Sequence, residues 1–335
     1  MTQKITVLAG GVGGARFTRG LLRAVPEASV TVVANTGDDM WLTGLRVCPD
    51  LDSLMYTLGG VSDDERGWGR RDESERVSAE LTAYGVGWPW FTLGDLDLGT
   101  HIARTSMLRD GLPLSTVTER LSARYDLGVT LLPATDDEVE TRVRLAVQDA
   151  QPGEGREGAV APVQTEEVHF EEWWVRYRAG RAALGFRQTN VETARPAPGV
   201  LEAIAQADVV LLAPSNPVVS IGTILGIPGI ADAVRATAAP VVGVSPIIGG
   251  AVVRGMADAC LSAIGVETSA LAVGRHYGAR RSGGLIDAWL VDSVDAEAAE
   301  ALAADSIRSR SRPLWFTSVD ETAAIARDAL ALAAP

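Results

Sequence analysis

Apolar and polar positions alternate along this chain in two rhythms. Ile5-Thr6-Val7-Leu8-Ala9 is an apolar run that predicts a buried strand, and Phe17, Leu21 and Leu22 then recur at helical spacing through 15–24. The glycine run between them, Gly10 to Gly14, predicts a tight strand-to-helix turn. Ser29 to Ala34 is a second strand, rich in β-branched residues. Strands alternating with helices predict a parallel sheet wound in βαβ units. The rhythm breaks over 41–130, which reads mainly helical with loops rich in Gly, Trp and Asp. One helix starts near Cys48-Pro49, with Asp50 or Asp52 close to its N-terminus. Strands follow at 129–132, 141–147 and 168–170, an exposed hairpin tip at 151–164, and an aromatic cluster from Glu171 to Tyr177. The first rhythm then returns, with a helix at 200–205, strands at 207–213, 240–244 and 287–292, and a closing helix at 319–333. The expectation is a single α/β domain over 1–335 with a Rossmann-like, mostly parallel sheet and helices on both faces. Its core spans 1–40 and 195–335, with a helical insertion at 41–130 and a strand and aromatic segment at 130–180.

Composition narrows the function. The 335 residues are 47% apolar and 22% charged, so a sizeable core is available. Net charge is −13, from 43 acids against 30 bases, and no dense Lys/Arg block breaks it. That argues against a general nucleic-acid surface, and a small anionic ligand would need a local cationic or metal site. The two cysteines, Cys48 and Cys260, lie far apart without metal spacing, as a reducing compartment allows. With no signal peptide and no apolar run near 18 residues, the expectation is a cytoplasmic protein without a membrane span.

Strand, glycines and helix in succession place backbone amides and a helix N-terminus where an anion can sit. Gly10, Gly11, Gly13 and Gly14 would let a phosphate approach the backbone. The stretch is not a dinucleotide fingerprint, because Arg16 stands where the third small residue belongs, and no Lys-Ser/Thr pair makes it a Walker loop. Asn35 and the acids Asp38 and Asp39 fall at the carboxyl end of the second strand, on the same rim. With Asp50 and Asp52 they give four carboxylates that could hold Mg²⁺ beside phosphate oxygens; helix capping and turn formation are the plainer alternatives. Asp95 opens a further helix on which Thr100 and Arg104 share a face, and His101 could serve as a general base or as a hydrogen-bonded structural residue. Ser215, Asn216 and Ser220 in one loop, and Ser245 in another, offer hydroxyl and amide groups to a nucleotide, and Arg254 could pair with phosphate. No covalent nucleophile stands out, so the parts are those of phosphoryl transfer by positioning and charge neutralisation.

Together, Leu8 to Phe17, Asn35 to Asp39, Cys48 to Asp52, Gly67-Trp68-Gly69, Ala213 to Gly222 and Val244 to Gly249 resemble the 2-phospho-L-lactate transferase family (CofD). Glu172 to Arg178 is similar to its actinobacterial, FbiA-type branch. The resemblance spans nearly the whole chain and implies a step in making the deazaflavin coenzyme F-420. A phospholactyl or phosphoenolpyruvyl group would pass from a guanosine diphosphate-linked donor to the deazaflavin alcohol Fo, with Mg²⁺, in an enzyme that is often a homodimer. It leans toward phosphoenolpyruvate. It also implies that Fo lies near Asp52 and the 94–104 segment, with Asp52, His101 and Arg104 as catalytic candidates, and guanosine by the 214 and 245 loops. Relatives often read Gly-Asp-Arg-Asp where this chain has Gly94-Asp95-Leu96-Asp97; if that arginine contacts substrate, Leu96 cannot replace it, and Arg104 or Arg70 could. Two rivals are a non-catalytic nucleotide-sugar-binding regulator and an NAD-dependent oxidoreductase. The acids and the aromatic insertion, suited to stacking a flat ring, favour the transferase.

Overall fold

The computed structural model describes residues 2–147 and 164–334, so all but the end of the expected hairpin tip at 151–164 lies outside the described residues. The chain opens with β1 (Lys4–Ala9), α1 (Gly11–Ala24) and β2 (Ser29–Ala34). A short hairpin follows, β3 (Met40–Leu42) and β4 (Leu45–Val47), and then α2 (Pro49–Leu58), α3 (Arg76–Ala83), α4 (Asp95–Arg109) and α5 (Leu114–Ser122). Next come β5 (Thr130–Pro133), β6 (Thr141–Ala146), β7 (Thr165–His169) and β8 (Ala183–Gln188). The second half runs α6 (Val200–Ala205), β9 (Val209–Leu212), α7 (Ile221–Gly226), α8 (Ile230–Ala236) and β10 (Val241–Val244). It continues with β11 (Ile247–Ile248), β12 (Ala251–Val252), α9 (Ala257–Ala263), α10 (Ala270–Tyr277), β13 (Ala288–Val291), α11 (Ala296–Ala304), β14 (Arg308–Ser311) and α12 (Val319–Ala333).

Seven strands form one parallel sheet in the order β14-β13-β10-β9-β1-β2-β5. Val7 lies inside the sheet, paired with Val32 on one side and Leu211 on the other. Alternate side chains build two cores, as a sheet covered on both faces requires. Ile5, Val7, Ala9, Val32 and Leu211 pack with Phe17, Leu21 and Ile325 of α1 and α12. Leu8, Val33, Val210 and Leu212 pack with Ile204, Ile224 and Ile230 of α6, α7 and α8. A separate antiparallel sheet, β7-β6-β8, gathers Val143, Leu145, Phe170 and Trp173 into its own cluster, which also takes in Val219 of the core.

Four elements differ from expectation. Helix α1 begins at Gly11, not at 15, so the glycines form its first turn. The 41–130 stretch is not wholly helical, because Thr43 and Gly44 both take positive φ and turn β3 into β4. That is the two-residue hairpin geometry. Residues 130–133, expected to begin the separate strand segment, are the edge strand of the main sheet beside β2. Edge strand β14, Arg-Ser-Arg-Ser, had no hydrophobic pattern to announce it. Among the described residues no helix is long and apolar enough to cross a membrane.

Candidate active site

Because the sheet is parallel, the carboxyl ends of β1, β2, β9 and β10 share one rim. The chain leaves β1 toward one side of the sheet and returns at β9 on the other, so a crevice opens between them. There lies a cavity of about 510 Å³, within the range of small-molecule sites. Its floor is Gly10 to Gly13 and Arg16 of α1, one wall is Pro214 to Ser220 with Val244 to Pro246, and Arg254 stands at the rim. Phe170, Trp174, Trp315 and Phe316 add flat apolar surface.

The glycines have a local cause. A Cβ on Gly10 would lie 2.7 Å from Ser220 Cβ, one on Gly13 2.8 Å from the Pro214 carbonyl, and one on Gly14 2.8 Å from Ser215 Oγ. The 214–220 loop therefore packs directly on the helix backbone. Ser215 Oγ accepts from the Gly10 amide at 2.9 Å and donates to the Gly10 carbonyl at 2.7 Å. These glycines make room for the loop's protein atoms, and Gly10, Gly11 and Gly13 also line the cavity. Asn216 Oδ1 accepts from the Val218 and Val219 amides, and Ser245 Oγ braces the turn at Ile247, so each shapes its loop while lining the cavity.

The four aspartates separate into two groups. Asp38 and Asp50 line the cavity; Asp39 and Asp52 do not. Asn35 is buried and donates to Asp50 Oδ2 at 2.9 Å, while its own oxygen accepts from the Gly37 amide. Asp38 Oδ1 is buried with no hydrogen-bond partner among the described residues. Burial, then the charges of Asp50, Glu171 and Asp39, hold the Asp38 pKa well above the carboxylate range. Burial pushes Asp50 up to about 6, against the Asn35 bond and the Gly11 amide. It pushes Glu171 up to about 8, with help from Asp50. Asp38 and Asp50 at the cavity, repelled by Glu171 nearby, are hard oxygen groups of the kind Mg²⁺ accepts, although the three do not converge on one point as Asp52, Asp97 and His101 do.

Asp39 instead lies 3.7 Å from Arg46, whose guanidinium also bonds Glu140. Asp52 pairs with Arg104 in the interior. Arg104 Nη1 lies 3.0 Å from His101 Nδ1, and since arginine only donates, that ring nitrogen accepts. His101 Nε2 faces Asp97 Oδ1 at 3.3 Å, and Asp97 also accepts from Tyr56 Oη at 2.7 Å. Asp52, Asp97 and His101 are close enough together to surround an ion, but the Arg104 charge already occupies that role. His101 is 1% exposed, with one nitrogen engaged by Arg104 and the other facing Asp97. The expected catalytic trio of Asp52, His101 and Arg104 forms a buried charge network, and none of the three lines this cavity. Thr100 is buried on the same helix, and Asp95 is exposed, its carboxylate capping Ser74. The aromatic rings at the cavity also come from 170–174 and 315–316, not from the 41–130 insertion.

Sequence reasoning missed Glu171, Trp174 and Trp315. Glu171 has a positioning partner in His169, whose Nδ1 accepts from the Glu171 amide at 3.1 Å while Nε2 donates to the Asp39 carbonyl at 3.2 Å. The only signal was the acidic pair opening the aromatic cluster at 171–177. Trp315 follows the unanticipated strand β14 and had none.

Comparison with known proteins identifies the family of the chain. A family model described as 2-phospho-L-lactate transferase CofD matches residues 5–324. A protein of Streptomyces griseus subsp. griseus named phosphoenolpyruvate transferase is 56% identical over 330 residues, which are 98% of each chain. Proteins of the same name from Streptomyces coelicolor and Mycobacterium ulcerans are 54% and 51% identical, again over 98% of each chain. The fold alone is also similar to a solved member of the UPF0052 family from Bacillus halodurans, at TM-score 0.61 and 18% identity over 98% of this chain and 99% of that one.

Proposed function

The chain belongs to the 2-phospho-L-lactate transferase (CofD) family, and from that premise we propose that it transfers a phosphoenolpyruvyl group from a guanosine diphosphate-linked donor to the terminal ribityl hydroxyl of Fo, releasing GMP. The name carried by its relatives supports phosphoenolpyruvate over phospholactate. The observation that carries the reading is a single cavity lined by the carboxylates Asp38 and Asp50, the first turn of α1 and the arginines Arg16 and Arg254. The terminal hydroxyl of the acceptor attacks the phosphorus that bears the three-carbon acid. The bond from that phosphorus to the oxygen bridging it to GMP breaks, GMP leaves with the electron pair, and the hydroxyl proton passes to water.

Asp38 and Asp50, with Glu171 behind them, would hold Mg²⁺. Bound there, the ion supplies charge neutralisation to the diphosphate. The remaining work is positional. Asn35 and the Gly11 amide fix Asp50. The N-terminus of α1 favours an anion at its first turn. The loops at 214–220 and 245 receive the guanosine end, and Trp174 and Trp315 offer faces on which the deazaflavin ring stacks.

Incubation with Fo, Mg²⁺ and each guanylyl donor tests this by mass spectrometry. The phosphoenolpyruvyl donor should give a product one phosphoenolpyruvyl group heavier than Fo, with GMP released in equal amount. No product from either donor overturns the reading.

A further inference from the structure

Arg16 and Arg254 are neighbours on the cavity wall, and among the described residues neither forms an ion pair with a carboxylate. Both are instead held by backbone. Arg16 Nη2 donates to the Asp64 carbonyl at 3.2 Å, and Arg254 Nη2 to the Gly67 carbonyl at 3.1 Å. The Asp64 carboxylate itself is engaged by Arg19 at 3.1 Å and by Ser62 Oγ. Arg16 Nε is buried without a hydrogen-bond partner. Two guanidinium groups close enough to disturb one another would repel in the absence of an anion; partial burial and then the Arg16 charge pull the Arg254 pKa below its ordinary value.

The loop that tethers them is shaped for the task. Gly67 takes φ of +76°, and a Cβ there would fall inside the Arg254 guanidinium. The loop is closed by an antiparallel bridge between Ser62 and Arg70, and the Gly67 amide donates to the Asp63 carbonyl at 2.7 Å. Backbone carbonyls direct the two forks without cancelling their charge. A planar guanidinium fork matches the paired oxygens of a carboxylate or phosphate.

We propose that Arg16 and Arg254, aimed by the 62–70 loop, form a two-armed clamp for one oxyanion of the donor. This rests on the transferase reading and adds to it the residues that hold the donor's far anion. The donor carries two candidate oxyanions, the phosphate that leaves as GMP and the carboxylate of its three-carbon acid. The clamp takes one of them, while the acids and the first turn of α1 take the bridge between.

Calorimetric titration of the full chain in Mg²⁺ with GMP, guanosine and phosphoenolpyruvate tests it without turnover. Arg16→Gln and Arg254→Gln should each weaken one anion by about ten- to a hundredfold. Guanosine binding and the unfolding midpoint should stay as they are. Loss confined to GMP assigns the clamp to the leaving phosphate, and loss confined to phosphoenolpyruvate assigns it to the carboxylate. Gly67→Ala, which keeps both charges but displaces Arg254, should weaken the same anion. The clamp is overturned if both Gln variants bind both anions as the unaltered chain does, or if the unaltered chain binds neither. Unchanged anion binding in variants of an active enzyme would sink the clamp and leave the transferase reading standing.

Discussion

Asp50 and Asp52 stand two residues apart on the first turn of α2, yet they serve opposite surroundings. At 3.6 residues per turn they point about 200° apart. Asp50 enters the cavity among carboxylates and carries no cationic partner among the described residues. Asp52 enters the interior and meets Arg104, with His101 and Asp97 close by. One acid is left available to a ligand; the other is already neutralised by protein. Buried charge of the first kind is a burden on the fold unless something binds, whereas charge of the second kind is an internal fastening. Identical chemistry in the sequence thus splits into site and scaffold according to which face of one helix turn it occupies.

The sharpest way to break this contrast is Asp52→Asn. It strands the buried Arg104 charge, and chemical denaturation should show a loss of about 3–5 kcal/mol. A midpoint equal to that of the unaltered chain would remove Asp52 from the scaffold. Asp50→Asn should behave in the reverse manner. Transferase turnover should fall by about a hundredfold or more, while the unfolding midpoint stays level or rises because a repelled buried charge is gone. Full activity in this variant would return Asp50 to a capping role.

The smallest effect is the dependence of stability on pH. Asp50 is raised to about 6 and Glu171 to about 8, so between about pH 4 and pH 8 the metal-free native state binds more protons than the unfolded chain. Stability is then full below the ordinary carboxyl range and falls as pH rises through those values. Added Mg²⁺ should raise the melting midpoint more at pH 8 than at pH 5. An equal rise at both would mean that the ion does not sit on these acids.

Much of the fold was legible because buried parallel strands are nearly continuous apolar runs, as at 5–9, 29–34 and 209–212. The start of α1 was not, since glycine is a poor helix former and only packing against the 214–220 loop explains it there. The β3–β4 hairpin could have been found from Thr43-Gly44 between alternating residues, a two-residue turn signal passed over. Edge strand β14 is polar and short, so no pattern marked it. For the site, the acids and the carboxyl-end loops were visible as residue types at a shared rim. Their division into Asp38 and Asp50 against Asp39 and Asp52 was not, because it depends on direction and not on spacing. Trp174 and Trp315 reach the cavity, and Glu171 comes near Asp38, from segments whose meeting only the tertiary fold decides.

The mutual bonds between Gly10 and Ser215 join positions separated by 205 residues. On a ribosome, the first half of the chain emerges with its glycines and acids but with no partner surface to complete them. The cradle closes only when residues beyond 220 have been synthesised and have docked. Contacts this distant in sequence make closure a late event in folding. Affinity for the proposed donor would therefore be a property the nascent polypeptide acquires all at once, near the end of its synthesis, and donor binding would serve as an assay of complete folding.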